Sequence, residues 1–356
     1  MKRVLMLSTL HPHDDIRIYH KEAIALLRAG YPVVVACPGE PPRGLATKTI
    51  KLPLFGNRLC RMVSSWMVGV ECGIFSGAKI VHLHDPELLP AGLVLKALGK
   101  QVVYDAHEDL PRQLMHKPYL SVAIKRIMSS FVAFSEMHLA THCDLVIGAT
   151  PAISRRLGGV AVRNLPDPRE LRLPHLSRIP RQICYIGAVS EARGILPMIE
   201  AAHLSGTHLM VAGTCDNAAL EHRLRTHPHR GSFTLLGRVD RHQVAKLLAE
   251  SACGLCVLAD TPAYREAIPV KLLEYMLAGL PFVASDFSGW RELGGEGGLY
   301  VRPDDIKGIA KAILSIVDDP VQAGWLSAVG RERVCMFSFE NEEKRLVSAY
   351  QMHLGG

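Results

Sequence analysis

Two glutamates, Glu266 and Glu274, stand with seven residues between them, and Pro269 divides the interval. After Pro269 the pattern is helical, with Leu272, Leu273, Met276 and Leu277 forming an apolar stripe. Proline suits a first helical turn, where its missing N–H would have had no partner. Gly279 closes the helix, Pro281 bars its return, and Phe282–Ser285 reads as a buried strand. This predicts Glu266 in the loop that enters the helix and Glu274 in its first or second turn. A helix start offers free N–H groups and a positive dipole, both of which attract phosphate. From Pro269 to Glu274 the helix rises roughly 7–8 Å, about the reach from a pyrophosphate to its ribose. One carboxylate could then meet a sugar while the other holds a ribose, with phosphates between. The plainer reading is a surface ion pair of Lys271 with Glu274, worth a few tenths of a kcal/mol, and a loop carboxylate at Glu266 beside Arg265.

Other loops carry the same kinds of groups. After the first apolar run come Asp15, Arg17, His20 and Lys21; Arg17 could meet a phosphate or an acceptor, or pair with Asp14 or Asp15. His82-Leu83-His84-Asp85-Pro86-Glu87 and Tyr104-Asp105-Ala106-His107-Glu108-Asp109 each set histidine and carboxylate at a strand end. In Gly187–Gly194 Arg193 could meet a pyrophosphate charge to charge, and Gly194 lets backbone approach. No GxGxxG follows a strand and no GxxxxGK[ST] occurs. Asp-x-Asp is also missing, so a metal-bridged diphosphate site lacks its usual ligands. The glycines at 294–298 precede a strand and read as a turn. His138 and His142, four apart without the HExxH glutamate, read as a helix face, and Cys253/Cys256 as buried small hydrophobes.

The elements that must position these groups alternate. The first half reads as strands at Val4–Leu7, Val33–Cys37, Ile80–His84, Val102–Asp105 and Leu145–Ile147, with helices at Ile16–Ala29, Glu87–Leu98 and Val122–Thr141. Four prolines and many charges between 164 and 182 mark a linker. The second half repeats the pattern, with strands at Ile183–Ile186, Leu209–Ala212, Phe233–Leu236, Cys253–Leu258, Phe282–Ser285 and Leu299–Val301. Helices lie between them and from Asp305 to Val317, and a last one spans Glu340–His353. Alternation of this kind predicts an α/β protein of two doubly wound, Rossmann-like domains facing a central cleft, with ligands at the carboxyl ends of the strands. A chain of 356 residues has room for two such domains. A formal charge of +7 suggests anionic partners but is too mild to imply nucleic acid. Nine cysteines, mostly in apolar runs, suggest a reducing compartment. The start reads as a strand and not as a signal peptide, which predicts a cytoplasmic protein.

The chain resembles the group 1 (family 4) retaining glycosyltransferases with the GT-B fold. The resemblance is carried by the E-x7-E pair, by EYMLAGLPFVASD after it, by DIRIYHKEAIALLRAGYPVVV, by HLHDPELLPAGLVLKALGKQVVYDAHEDLP and by GLYVRPDDIKGIAKAI. It implies an acceptor-binding domain over 1–165, with the helix 338–356 packing back on it, and a nucleotide-sugar domain over 180–334. It also implies transfer of a sugar, with retained anomeric configuration, from a nucleotide-diphosphate sugar (a UDP-sugar first) to an acceptor hydroxyl in bacterial surface glycan or glycosylated metabolite synthesis. Glu266 would contact the donor sugar and His107 would sit beside it. Arg193, assisted by Lys271, would neutralise the diphosphate, with the backbone at Ile268 and Val270 near it. Glu274 would hold the ribose, Arg238 and Val239 would border the base, and Arg17 and His84 would serve the acceptor. No cofactor and no metal would be needed. Ala267-Ile268-Pro269 replaces the family's common Gly-Phe-Gly, Gly187-Ala188 replaces its Gly-Arg, and the first loop lacks the usual glycine pair. Two rivals share the fold, a nucleotide-sugar 2-epimerase and a non-catalytic nucleotide-sugar-binding protein. Arg58, Arg61, the run Met62–Ile74 and Lys125-Arg126 suggest peripheral contact with an anionic membrane at the inner face of the cell; an ordinary core helix is the alternative.

Overall fold

A computed structural model describes residues 1–54, 58–115, 121–169, 171 and 173–355. Its residues divide into two compact units, Met1–Asn164 with Phe339–Gly356, and Leu165–Ser338.

The first unit is built on a seven-stranded sheet: β1 (Val4–Leu7), β2 (Val33–Pro38), β3 (Lys48–Leu52), β4 (Ile80–Leu83), β5 (Gln101–Ala106), β6 (Leu145–Gly148) and β7 (Val160–Ala161), in the order β3-β2-β1-β4-β5-β6-β7. Every pair is parallel. Burial on both faces explains why β1 and β2 read as unbroken apolar runs. One face packs Met6, Val35 and Ile147 against Leu26 and the C-terminal helix Phe339–Leu354, whose Leu346, Ala349 and Tyr350 are buried there. The other packs Leu5, Val81 and Val102 against Leu88, Leu95 and Ala140.

Chain order reverses between β1 and β4, so the loops after β1, β4 and β5 leave the sheet side by side. Asp85 ties two of them together. Its Oδ2 accepts from Thr9 N–H at 2.6 Å and from the Ser8 hydroxyl at 3.0 Å. The segment Ile16–Ala23 is wound as a π-helix and continues as the α-helix Ile24–Arg28. Asp15 caps it, accepting from the N–H groups of Arg17 at 2.8 Å and Ile18 at 2.9 Å. The sequence predicts an ordinary helix there; the wider turn changes which side chains share a face.

The second unit has six parallel strands: β8 (Gln182–Ile186), β9 (His208–Ala212), β10 (Phe233–Gly237), β11 (Cys253–Cys256), β12 (Phe282–Ser285) and β13 (Gly298–Val301), in the order β10-β9-β8-β11-β12-β13. Its reversal lies between β8 and β11. There Gly194, at φ +72°, leaves no room for a side chain, because a Cβ would stand 1.8 Å from the Val257 carbonyl oxygen. Leu165 and Leu171 pack into this unit's core with Leu273 and Phe282, so the segment expected as a free linker is anchored at its start.

Candidate functional site

In the second unit Arg193 and Lys271 come to one place. Lys271 opens the helix Val270–Leu277, and its Nζ lies 3.2 Å from the Tyr185 hydroxyl and 4.6 Å from that ring's centre. The Arg193 charge lies close enough to the same hydroxyl to oppose the rise that burial gives its pKa, and the hydroxyl itself donates to the Ala188 carbonyl at 2.7 Å. Burial lowers the pKa of Lys271, and the nearby Arg193 charge lowers it further. Gly187, at φ +133°, is fitted to this arrangement, since a Cβ there would stand 2.5 Å from Lys271 Cε. Two cations thus lie beside one phenol, and neither makes an ion pair among the described residues. Pro269 gives the helix no side-chain cap; Val270 N–H donates to the Ile268 carbonyl and Leu272 N–H to the Pro269 carbonyl, which leaves the Lys271 N–H of the first turn for a ligand.

Glu274 lies in the second turn of that helix, as the spacing predicts. Its ion-pair partner is Arg241, Nη1 to Oε1 at 2.9 Å, and not the Lys271 of the plainer reading. Glu266 is exposed and ends a short helix, Pro262–Glu266, where the sequence reading has a loop; Thr261 caps that helix on Tyr264 N–H at 3.3 Å. The residues after it are pinned by Trp290, whose indole N–H donates to the Ala267 carbonyl at 3.0 Å. Ile268 is exposed and Val270 half-buried. Arg238 is exposed and Val239 half-buried just after β10. They follow a cavity of about 560 Å³ lined by Gly213, Thr214, Cys215, Leu236 and Gly237. A second cavity of about 610 Å³ beside Gly194 is lined by Glu191, Asp260, Asp286, Arg302 and Asp304, with each carboxylate paired to an arginine.

In the first unit the expected residues Arg17, His84 and His107 also meet, around a fourth, Asp105, from the same strand-end run as His107 but given no role of its own by the sequence. Arg17 grips it twice, Nε to Oδ2 at 2.8 Å and Nη2 to Oδ1 at 2.7 Å, and donates from Nη1 to the Val162 carbonyl at 2.9 Å. Nη2 also reaches Glu22 at 3.0 Å. A guanidinium buried and occupied in this way does not reach out to an acceptor, so the geometry corrects the expected role of Arg17. Its partners are Asp105 and Glu22, and not the Asp14 or Asp15 of the plainer reading. His84 is buried too, its Nδ1 3.1 Å from His107 Nε2. His107 Nε2 lies 2.8 Å from Asp105 Oδ2, and the ring keeps 12% of its side chain exposed.

The charges in this cluster are settled by burial and neighbours. Burial alone would raise the Asp105 pKa, but Arg17, then His107 and His84, hold it well below the usual carboxylate range. Burial pushes Glu22 well above its ordinary value; Arg17 opposes this and the Asp105 charge adds to it. Burial takes His84 down to about 4 despite its bond to Asp105, and takes His82 well down. His82 Nδ1 meets the Tyr350 hydroxyl at 2.7 Å, which ties the C-terminal helix to this network. Glu22, His82, His84 and Asp105 could each turn one ligand atom to a common point, all within 4.8 Å of one another. Arg17 already supplies the cation there, and an ion would have to displace it.

Residues 180–319 match the family model described as Glycosyl transferases group 1. Glycogen synthase of Mycobacterium tuberculosis is 27% identical over 93% of this chain and 90% of its own. Among solved structures, sucrose-phosphate synthase from Thermosynechococcus elongatus superposes with a TM-score of 0.74 at 18% identity, covering 99% of both chains. Anabaena Alr3699/HepE in complex with UDP-glucose gives 0.70 at 13% identity, covering 99% of this chain and 100% of that one. Over residues 180–319 the chain is similar to the group 1 glycosyl transferases, and its two doubly wound halves have the fold of the GT-B glycosyltransferases.

Proposed function

We propose that this chain moves a sugar from a nucleotide-diphosphate sugar, a UDP-sugar first, to an acceptor hydroxyl, with retention of configuration and without a metal. The observation that carries this is the pair Arg193 and Lys271, both set beside the neutral Tyr185 hydroxyl. Two desolvated cations repel each other, and a diphosphate between them relieves that repulsion. The same charges then stabilise the negative charge that grows on the departing diphosphate. The Lys271 N–H in the uncapped first turn of Val270–Leu277 adds a donor. Glu274, one turn on, is within the ribose's reach, and Arg241 orients it. Glu266 takes the donor sugar's hydroxyls. Arg238, Val239 and the adjoining cavity take the base, and Ile268 and Val270 flank the phosphates. In the first unit His107 offers a half-buried imidazole to a sugar hydroxyl; His84 stands behind it. The UDP-glucose held by the structurally similar Anabaena protein supports a uridine donor. The acceptor reading is a growing surface glycan or a small metabolite.

Peripheral contact with an anionic membrane at the inner face of the cell belongs to the same reading. No helix among the described residues is long and apolar enough to cross a membrane. The helix Val122–Ala140 instead exposes Ile124, Ile127, Met128, Phe131, Phe134 and Met137, with Lys125 and Arg126 at its start. Its one acidic residue, Glu136, is buried against Tyr104 and Arg156. The side chains of Arg58 and Arg61 lie outside the described residues.

The experiment is transfer by purified Glu266→Ala, with and without EDTA. We expect the variant to lose at least about 100-fold in rate, and an exposed carboxylate to cost under about 0.5 kcal/mol of stability. Wild-type rates should persist in EDTA. An active Glu266→Ala, or a wild type that needs added manganese, would contradict the reading.

A further inference from the structure

We propose that Asp105 is a positioning residue for His107: it fixes the imidazole as the Nε2–H tautomer and so presents the Nδ1 lone pair to a hydroxyl of the bound sugar. The inference rests on the reading that His107 meets the sugar, and adds how it is made ready.

The geometry favours a hydrogen on His107 Nε2. Asp105 Oδ2 and His107 Nε2 are 2.8 Å apart, too close for two facing lone pairs, so the contact favours a hydrogen on Nε2. The carboxylate is fully buried and held ionised by the two-point grip of Arg17, so it accepts and the imidazole donates. His84 Nδ1, 3.1 Å from the same nitrogen, belongs to a ring kept neutral at ordinary pH by burial. It can share that hydrogen or donate weakly toward Asp105, 3.5 Å away, but it brings no charge. His107 Nδ1 has no partner among the described residues. The ring's remaining exposure is therefore where a hydroxyl can reach it.

The supports behind Asp105 explain why it cannot turn away. Arg17 is anchored a third time on the Val162 carbonyl and a fourth on Glu22. Held in this way, the Asp105 carboxylate orients the His107 ring. Around it stand His11, whose ring centre is 5.2 Å away, His84, Asp105, Asp15, Asp85 and Glu108, with Arg17 and Glu22 one layer behind. A buried carboxylate that fixes an imidazole's tautomer is a general device wherever the outer nitrogen must accept from a hydroxyl. Here the two residues belong to one strand end, Asp105 within β5 and His107 just past it, so the backbone itself sets their spacing.

The test reads the tautomer directly. The full chain, ¹⁵N-labelled at histidine and free of substrate, is examined by two-bond ¹H–¹⁵N correlation at pH 7.5. His107 is assigned by the signal lost in His107→Gln. We expect a neutral ring protonated at Nε2. A ring protonated at Nδ1, a fast mixture of tautomers, or an imidazolium would overturn the proposal. Asp105→Asn is then compared with wild type. The signal should become a tautomer mixture and kcat should fall at least about tenfold, while the thermal shift given by a UDP-sugar stays the same. A folded Asp105→Asn with wild-type kcat would also overturn it. If that variant fails to fold with Arg17 unpaired, the wild-type spectrum still decides. A wild type that shows no thermal shift with any nucleotide sugar refutes the donor reading instead, and leaves the tautomer result standing.

Discussion

Around Asp105 a single carboxylate organises a guanidinium and two imidazoles in a buried place, and Glu22 completes the balance of charge. With Arg17 positive, Asp105 negative and both buried histidines His82 and His84 neutral, Glu22 must keep its proton for the cluster to be neutral. Its raised pKa gives a signed prediction. An unfolded glutamate titrates near about 4.3. Above that pH the unfolded chain releases the proton while the folded chain holds it, so this group's contribution falls as pH rises toward the folded value. Glu22→Gln removes the loss and keeps an N–H donor. We expect the variant to melt higher than wild type at pH 8, by on the order of 1 kcal/mol, with the gap closing as the pH approaches 5. A variant less stable than wild type at pH 8 would show that Glu22 is ionised in the folded chain. The residues of this cluster were only half legible in the sequence. Asp105, His84 and His107 announce themselves as polar groups at strand ends. Arg17 and Glu22 are five apart, a spacing that an α-helix does not bring together, and only the π-wound segment Ile16–Ala23 lets both face Asp105.

The elements show the same division. Strands buried on both faces, such as β1, β2 and β12, are legible because their composition is uniform. The edge strand β3 is not, since Lys48 and Lys51 break its run and only Leu52 is buried. The short helix ending at Glu266 did carry a signal, Thr261 followed by Pro262, which the search for a loop passed over. The helix Pro320–Val334 buries only Leu326, Gly330 and Val334, too thin a stripe to stand out. The helix Val122–Ala140 is legible as a helix, and of its two readings, membrane contact and an ordinary core helix, the exposure of many of its apolar residues goes against the second. That exposed face makes a prediction at this scale. Ile127→Ser with Phe131→Ser should lower partition onto vesicles containing anionic lipid at least about tenfold and leave the melting temperature unchanged. Equal partition of wild type and variant, or a wild type that pairs with itself in solution and ignores vesicles, would remove the lipid reading.

At the scale of the whole molecule, each half brings its own chemistry to the point where its strand order reverses. In the first unit that place holds the Asp105 network and His107; in the second it holds Tyr185, Arg193 and Lys271. Parallel sheets make this economical, because the loops after neighbouring strands emerge together and a few side chains can converge without a dedicated scaffold. The family resemblance named Arg193 and Lys271. Tyr185 could not be found from sequence, since an aromatic residue near the end of an apolar strand reads as core. The most direct test of the account is a crystal structure of the chain with UDP bound. It predicts the diphosphate against Arg193, Lys271 and the first turn of Val270–Leu277, with the ribose at Glu274. A diphosphate seated away from Arg193 and Lys271 would contradict it.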